Sequence, residues 1–561
     1  MTHRLAHRTQ WGPGPIQEIV DLSFRQRVVP FIQEALPLFD PEERERCCSG
    51  DWYGEHVGKW LVTAAAALRR TESDELRDQI ETVITFLSSC QEETGYLGAY
   101  ASHSSARFTH PEASSARTWD LWIHSWLVLG LLANRQCGEA KEIALRIGKL
   151  WLRTFRGRSV LDQGNHAGLS ALVILEPLAK LADASSDNRY LDLAKQVLKE
   201  AECKGLRLLG ADPDVATIGT GKIYQLLWAV KGLVALYSAE RRSEWLDAAR
   251  AIYEDVRANH LTPYGGPWGG MAGHKEVFNV RGFFSPYGLV ETCSTATWMS
   301  LSRELFLLTG EEVYVSEFER AFRNGLLGAI DENGRDWCYF TFPNGRRNNT
   351  YHWACCKSSG AMALEESAEM VVTATDDGIS VNLLVPSESH LTVGGHSVTV
   401  VQEEGSLTVK MPEPMEMSVS LRAPNGCTFK SISPEANVRR TWRDGDHLSW
   451  ELDEPLQVHP FTYTLDHHGQ EIVRQDYVFV SRGPYVYATG LVDGYRADET
   501  QRLPQLFPTS RVRVVDESGL FGPVVELRLP GEGPVRFLPY AEAGGRHNSA
   551  WRSAWLPVAW Q

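Results

Sequence analysis

Two short spacings in this chain gather residue types that bind metal ions: Glu291-Thr-Cys293 and Cys355-Cys356. Zinc takes thiolate sulfur and carboxylate oxygen, usually four donors at a time. One glutamate and three cysteines therefore make a complete donor set. Both pairs stand at the start of a helical pattern, where the helix dipole favours negative charge and lowers a thiol's pKa. The set could be a closed staple between two helical hairpins, or an open centre with a reactive sulfur. On spacing alone, either member of the 355–356 pair could be the nucleophile. Cys47 and Cys48 form a second adjacent pair without nearby partners in sequence, which predicts a structural role. Cys90, Cys137, Cys203, Cys338 and Cys427 are scattered and read as packing residues.

These donors need elements to hold them. Apolar residues recur at helical spacing in twelve segments before about residue 371. The segments run 16–36, 56–70, 74–91, 119–134, 138–156, 166–182, 188–204, 222–238, 244–260, 292–309, 311–330 and 358–371. Six αα-hairpins in succession predict an (α/α)6 toroid, because no hairpin can bury its apolar face alone. Long loops at 95–118 and 261–290 would line the central funnel; loops of this length are usually functional. After Thr373 the pattern changes to two-residue alternation punctuated by Asp377-Gly378, Gly394-Gly395 and Asp444-Gly445. The expected class is a multidomain α + β chain. It comprises an (α/α)6 barrel over 1–371, a β-sandwich over 372–466, and a second sandwich or a continuation of the first over 467–561. The boundary is placed near Asp466-His-His-Gly469.

Composition narrows the function. The net charge is −15 and there is no basic block, so nucleic acid is not an expected partner. No run of about 18 uncharged apolar residues exists to span a membrane, and residues 1–11 lack an apolar signal core. The expected location is the cytoplasm, where clustered cysteines serve as ligands or nucleophiles and not as disulfides. The chain has 18 tryptophans, whose flat faces suit sugar rings as well as core packing.

At this point the chain resembles glycoside hydrolase family 127 and its relatives, the β-L-arabinofuranosidase group. The matching pieces are Gly54-Glu-His-Val-Gly-Lys-Trp60, Gly95-Tyr-Leu-Gly98, Trp119-Asp-Leu-Trp-Ile-His124, Gly273-His-Lys-Glu-Val-Phe278, Glu291-Thr-Cys293 and Cys355-Cys356. Trp442-Arg-Asp-Gly-Asp446 and Ser481-Arg-Gly-Pro-Tyr-Val-Tyr487 extend the likeness into the strand-rich half. The resemblance implies that Glu291, Cys293, Cys355 and Cys356 bind Zn2+. It implies that Cys355 attacks the anomeric carbon, and that Glu276 is the acid/base. His56, His124 and His166 lie near helix starts and are candidates for hydrogen bonds to sugar hydroxyls. Tyr53, Trp122, Trp268 and Tyr351 are candidates for stacking. The chain departs from the family at Leu227-Trp228 and at Lys357-Ser-Ser-Gly360, which puts Trp228 on an expected pocket wall and leaves the preferred sugar open.

The reading is thus a retaining glycoside hydrolase acting on a terminal β-L-arabinofuranoside or similar sugar in a small oligosaccharide or glycoconjugate. An unsaturated-uronyl hydrolase or lyase of the same fold would need no cysteine cluster. A non-catalytic sugar-binding protein with structural zinc would make Glu276 dispensable. The sandwich faces offer surfaces on which a homodimer could form.

Overall fold

The computed structural model describes residues 2–30, 36–47, 52–110, 118–270, 276–350, 355–490, 512–528 and 534–557. Its twelve main helices are α1 (Pro15–Ser23), α2 (Glu55–Thr71), α3 (Asp74–Cys90), α4 (Asp120–Ala133), α5 (Ala140–Thr154), α6 (Leu175–Ser185), α7 (Arg189–Cys203), α8 (Ile223–Glu240), α9 (Ser243–Asn259), α10 (Thr292–Thr309), α11 (Glu312–Arg320) and α12 (Cys355–Glu366). The even-numbered helices form a closed inner ring. Each packs on the next, and α12 returns to pack on α2. The odd-numbered helices lie against them from outside.

The sequence sorts the two rings by burial. Helix α4 is buried without a break from Asp120 to Leu132, and α8 from Ile223 to Val234. A helix buried on every side belongs in the interior. Helix α5 instead buries one stripe, Ile143, Ile147 and Trp151, as an outer helix should. Two glycines bring α2 and α4 into backbone contact. A Cβ on Gly58 would stand 2.3 Å from the Trp126 carbonyl carbon, and one on Gly130 would stand 2.4 Å from the Gly58 oxygen. That close approach fixes Glu55 and Lys59 of α2 against Trp122 and Trp126 of α4. This is the (α/α)6 toroid that the periodicity predicts.

Two sheets follow. One has five strands in the order Arg4–Leu5, Val372–Ala374, Gly378–Val381, Met415–Leu421, Asn437–Trp442. The other has six, in the order Thr428–Ser433, Asp446–Asp453, Ser406–Lys410, His396–Glu403, Ser387–Val393, Arg8–Trp11. Val381, Leu391, Val400, Val409, Val419 and Trp442 fill the space between them, in a core continuous with that of the toroid. The first strands of the chain thus close an edge of each sheet. Arg4 pairs with Ala374 and Arg8 with His390.

A seven-stranded sheet comes last. It is led by the long hairpin Leu456–His467 and Gln470–Arg482. The expected boundary at 466/467 falls at the tip of this hairpin, so both flanking strands belong to one sheet. The Asp466-His-His-Gly469 signal is a two-residue turn, with φ 51° at His468 and 79° at Gly469. Positive φ at both positions matches the twist of a hairpin. The sheet docks on the toroid through Asn324, which donates to the Pro484 carbonyl at 3.0 Å and accepts from the Val486 N–H at 2.9 Å. No helix among the described residues is long and apolar enough to cross a membrane.

Candidate active site

The first turns of α2, α4, α8, α10 and α12 meet at one end of the lumen. Strand Val290–Glu291 pairs with Cys338–Thr341, and this delivers Glu291 to the N-cap of α10. Cys293 follows in the first turn of α10, while Cys355 and Cys356 open α12. The four ligand atoms lie within 4.8 Å of one another. Cys293 Sγ is 3.4 Å from Cys356 Sγ, and Cys355 Sγ is 4.0 Å from it. Glu291 Oε1 is 3.8 Å from Cys355 Sγ and 4.0 Å from Cys356 Sγ. A tetrahedral ion with sulfur bonds of about 2.3 Å spans edges of about 3.8 Å, so the four residues can hold a metal ion with small adjustments.

The donor set itself argues for a cation. Burial pushes the Glu291 carboxyl up to about 8, with the Cys355 and Glu276 charges adding to the effect. Burial likewise drives the Cys293 and Cys356 thiols well above the usual thiol range. Among the described residues, Glu291 Oε2 is buried without a hydrogen-bond partner. Four acidic groups crowded in a dry site cost free energy unless a positive charge compensates them. Cys355 differs from its neighbours. Hydrogen bonds from the Cys293 and Cys356 thiols, with the Lys59 and His56 charges behind them, hold its thiol well below the usual range. It is half-buried, whereas Cys293 and Cys356 are fully buried.

Two lysines serve the cluster. Lys222, just before α8, places Nζ 3.0 Å from Glu276 Oε2 and 3.8 Å from Glu291 Oε2. The Glu276 carbonyl accepts from the Ile223 N–H at 3.0 Å, so the backbone pins this carboxylate beside the donor set. Lys59 lies beneath, fully buried, with Nζ 3.0 Å from Glu55 Oε1. Its Nζ sits 5.0 Å from the Trp126 ring centroid and 5.2 Å from that of Tyr224. Glu55 also accepts from Trp122 Nε1. Burial raises the Glu55 carboxyl to about 7. The Tyr339 hydroxyl is 3.9 Å from Cys355 Sγ.

The other expected contact residues divide. His56 is buried with Nδ1 2.7 Å from Ser358 Oγ, which also accepts from Arg27 at 3.0 Å. Trp228 packs on Trp126, with ring centroids 4.3 Å apart, and this pair forms a plate across the lumen below the cluster. His124 points the other way. It packs among Tyr96, Phe108 and Trp151, and its Nε2 accepts from the Leu97 N–H at 3.4 Å. Two residues along a helix is a rotation of about 200°, so Trp122 and His124 must face opposite sides. Trp268 is buried with Tyr264, Val486 and Tyr540 where the last sheet meets the toroid. His166 is half-buried on the short turn before α6, at φ 55°. Tyr53 lies tilted against Trp52, with ring centroids 5.2 Å apart. Tyr351 and Cys48 lie outside the described residues, as does the Cys47 side chain.

The spacing argument misses Lys59, Glu55, Lys222 and Tyr339 as members of the site. A signal exists for one pair: Glu55 and Lys59 are an i, i+4 ion pair inside a helix otherwise rich in alanine and other apolar residues.

Comparison with known proteins identifies the family and the fold. The sequence profile described as "Beta-L-arabinofuranosidase, GH127 catalytic domain" matches residues 32–369. No curated protein matches in sequence. A solved GH127 β-arabinofuranosidase superposes with a TM-score of 0.76 at 17% identity, covering 100% of this chain and 98% of its own. A GH127 β-L-arabinofuranosidase from Geobacillus stearothermophilus T6 gives 0.75 at 18% identity, with 100% of both chains covered. A third, described as a glycoside hydrolase, gives 0.73 at 16% identity, covering 100% of this chain and 98% of its own. At these identities the structures establish a shared fold over the whole length. With the profile spanning more than half of the chain, this protein belongs to the GH127 β-L-arabinofuranosidase family.

Proposed function

We propose that the protein is a retaining glycoside hydrolase that removes a terminal β-L-arabinofuranosyl unit, or a sugar of similar shape, from a small oligosaccharide or glycoconjugate. Cys355 is the nucleophile and Glu276 the acid/base. The observation that carries this reading is the partial exposure of Cys355, the least buried residue of a donor set whose other members are buried. A sulfur that attacks a sugar must be reachable by substrate, whereas a purely structural ligand need not be.

The residues divide the work as follows. Glu276, in its protonated form, donates to the leaving oxygen while Cys355 Sγ attacks the anomeric carbon. The C–O bond breaks as the C–S bond forms, and the aglycone leaves with the proton. Glu276, now a carboxylate, takes a proton from water. The water oxygen attacks the same carbon, and the sulfur departs as a thiolate. Two inversions retain the configuration. Lys222 holds Glu276 in reach and shares its charge with Glu291. Three sulfurs and one oxygen suit zinc over harder cations. Bound zinc would keep the cysteines deprotonated at neutral pH.

The test is an assay of reduced protein against aryl glycosides: the β-L-arabinofuranoside, its α-anomer, D-furanosides and several pyranosides. Selective cleavage of one furanoside, lost in both Glu276→Gln and Cys355→Ser, is the expected result. Full turnover in Glu276→Gln would remove the acid/base from the account.

A further inference from the structure

The buried pair of Lys59 and Glu55 plays no part in the steps above, yet it packs on Trp122, Trp126 and Tyr224, which share one cluster with the cysteines. Four ionised ligands around a divalent cation leave two negative charges uncompensated in a dry site. Lys222 supplies one positive charge from the mouth side, but it is shared with Glu276 at 3.0 Å. Lys59 supplies the other from the lumen side. Its ammonium is 0% exposed, and among the described residues its close companions are the Glu55 carboxylate and the faces of Trp126 and Tyr224. Trp126 and Tyr224 belong to the same packed cluster as Cys293, Cys355 and Cys356.

A buried ion pair of this kind is a poor stabiliser by itself, because desolvation of both ions roughly cancels their attraction. The molecule carries a near-copy of the arrangement that shows the difference. Lys231 Nζ lies 4.0 Å from the Trp228 ring centroid and 3.3 Å from Glu176 Oε2. That copy sits below the Trp126–Trp228 plate, among carboxylates that have cations of their own. Beside Lys59 lie instead the Tyr224 ring and, in the same packed cluster, Cys293 and Cys355.

We propose that Lys59 is a positioning residue, the internal counter-cation of the donor set, and that Glu55 sets its strength by partly neutralising it. The pair tunes how tightly the cluster holds its metal. This rests on reading Glu291, Cys293, Cys355 and Cys356 as a zinc centre. The signs follow from electrostatics alone. Removing the cation weakens an anionic centre, and removing the anion that masks the cation strengthens it.

The experiment measures zinc affinity by competition with a chromogenic chelator in the full-length protein. Lys59→Met should weaken zinc by about 10-fold to 100-fold, the range typical of lost outer partners of a metal site. Glu55→Gln should tighten it several-fold. Lys231→Met should leave zinc affinity unchanged. A purely structural pair predicts that Lys59→Met and Glu55→Gln shift affinity in the same direction, or not at all, and either result overturns the proposal. Should Lys59→Met fail to fold, Glu55→Gln decides by itself: tighter supports, unchanged or weaker overturns. A second readout needs no metal. In protein stripped of metal, iodoacetamide labelling of the Cys355 peptide at neutral pH should slow in Lys59→Met and quicken in Glu55→Gln. Wild-type protein that takes up no zinc would sink the proposed function, while the labelling signs would still decide the role of Lys59.

Discussion

The two ends of the toroid's lumen are built from the same six helices and filled with charged groups, yet they differ in charge balance. At the end where the inner helices finish, a cavity of about 370 Å³ is lined by Glu176, Lys231, Arg303, Glu304, Glu366 and Glu369, among others. There four carboxylates, Glu176, Glu304, Glu366 and Glu369, meet four cations, Lys180, Lys231, Arg303 and Arg69. Arg303 reaches Glu369 at 2.7 Å, Glu304 at 3.1 Å and Glu366 at 3.2 Å, and Lys231 reaches Glu176 at 3.3 Å. At the other end, among the described residues, the lysines that serve Glu291, Cys293, Cys355 and Cys356 are Lys222 and Lys59, each already engaged by a glutamate. The comparison teaches that burial and charge do not by themselves make a site. A surplus of donors over cations does, because something must supply the missing positive charge.

The largest expected effect that tests this contrast is at the balanced end. Arg303→Met strands Glu304 and Glu366 and leaves Glu369 with Arg69 alone; it should lower stability by roughly 3–5 kcal/mol, the usual cost of breaking a buried ion pair. Metal content, read by elemental analysis, should stay at the wild-type level. Loss of metal in this variant would mean that the two ends are not independent.

Stripping the metal tests the opposite end. Restoring zinc at a free concentration about 100-fold above its dissociation constant should stabilise the protein by about 2.7 kcal/mol. In a Cys293→Ser variant that gain should be much reduced. Equal stabilisation of both proteins by zinc would place the metal elsewhere.

A smaller effect separates scaffold from site along a single helix. Burial, then the Arg107 charge, lowers His124 to about 3. Its unfolded value is 6.5, so below that pH the unfolded chain binds a proton that the folded chain refuses. Stability should therefore fall as pH drops from 6.5 towards 3, by up to about 1.4 kcal/mol per pH unit from this residue. The pH dependence of unfolding in a His124→Gln variant should be flatter across that window. An unchanged slope would move the burden to other groups.

The smallest effect belongs to the rim of the lower cavity. The Lys180 side chain is 48% exposed, and its Nζ lies 3.7 Å from Glu176 Oε1. An ion pair this exposed contributes about 1 kcal/mol or less. Lys180→Ala should shift the thermal midpoint slightly and leave metal content alone. A large shift would show that the lower network is more tightly coupled than its distances suggest.

Local signals carried much of this structure. All twelve helices follow from apolar periodicity, because neighbouring turns of one helix share one environment. The donor set was legible for the same reason: Glu291 and Cys293 are two residues apart, Cys355 and Cys356 are adjacent, and each pair opens an inner helix. What stayed hidden depends on distant partners. The strands Arg4–Leu5 and Arg8–Trp11 are two and four residues long, too short for alternation to register, and their partners lie some 370 to 380 residues away. Tyr339 reaches Cys355 only because Cys338–Thr341 pairs with Val290–Glu291. His124 looked equivalent to Trp122 until helix rotation set them on opposite faces. Asp466-His-His-Gly469 has the composition of a linker, and the same composition suits a hairpin turn.

The central claim is that Cys355 forms a bond to sugar carbon. The most direct measurement is mass spectrometry of Glu276→Gln after brief exposure to an aryl β-L-arabinofuranoside. Its activated leaving group needs little acid help, while removal of the enzyme-bound sugar still needs the missing base. The account predicts that the peptide carrying Cys355 gains one anhydropentose unit and that Cys355→Ser gains none. Release of free sugar by Cys355→Ser at the wild-type rate, with no adduct on any cysteine peptide, would contradict it.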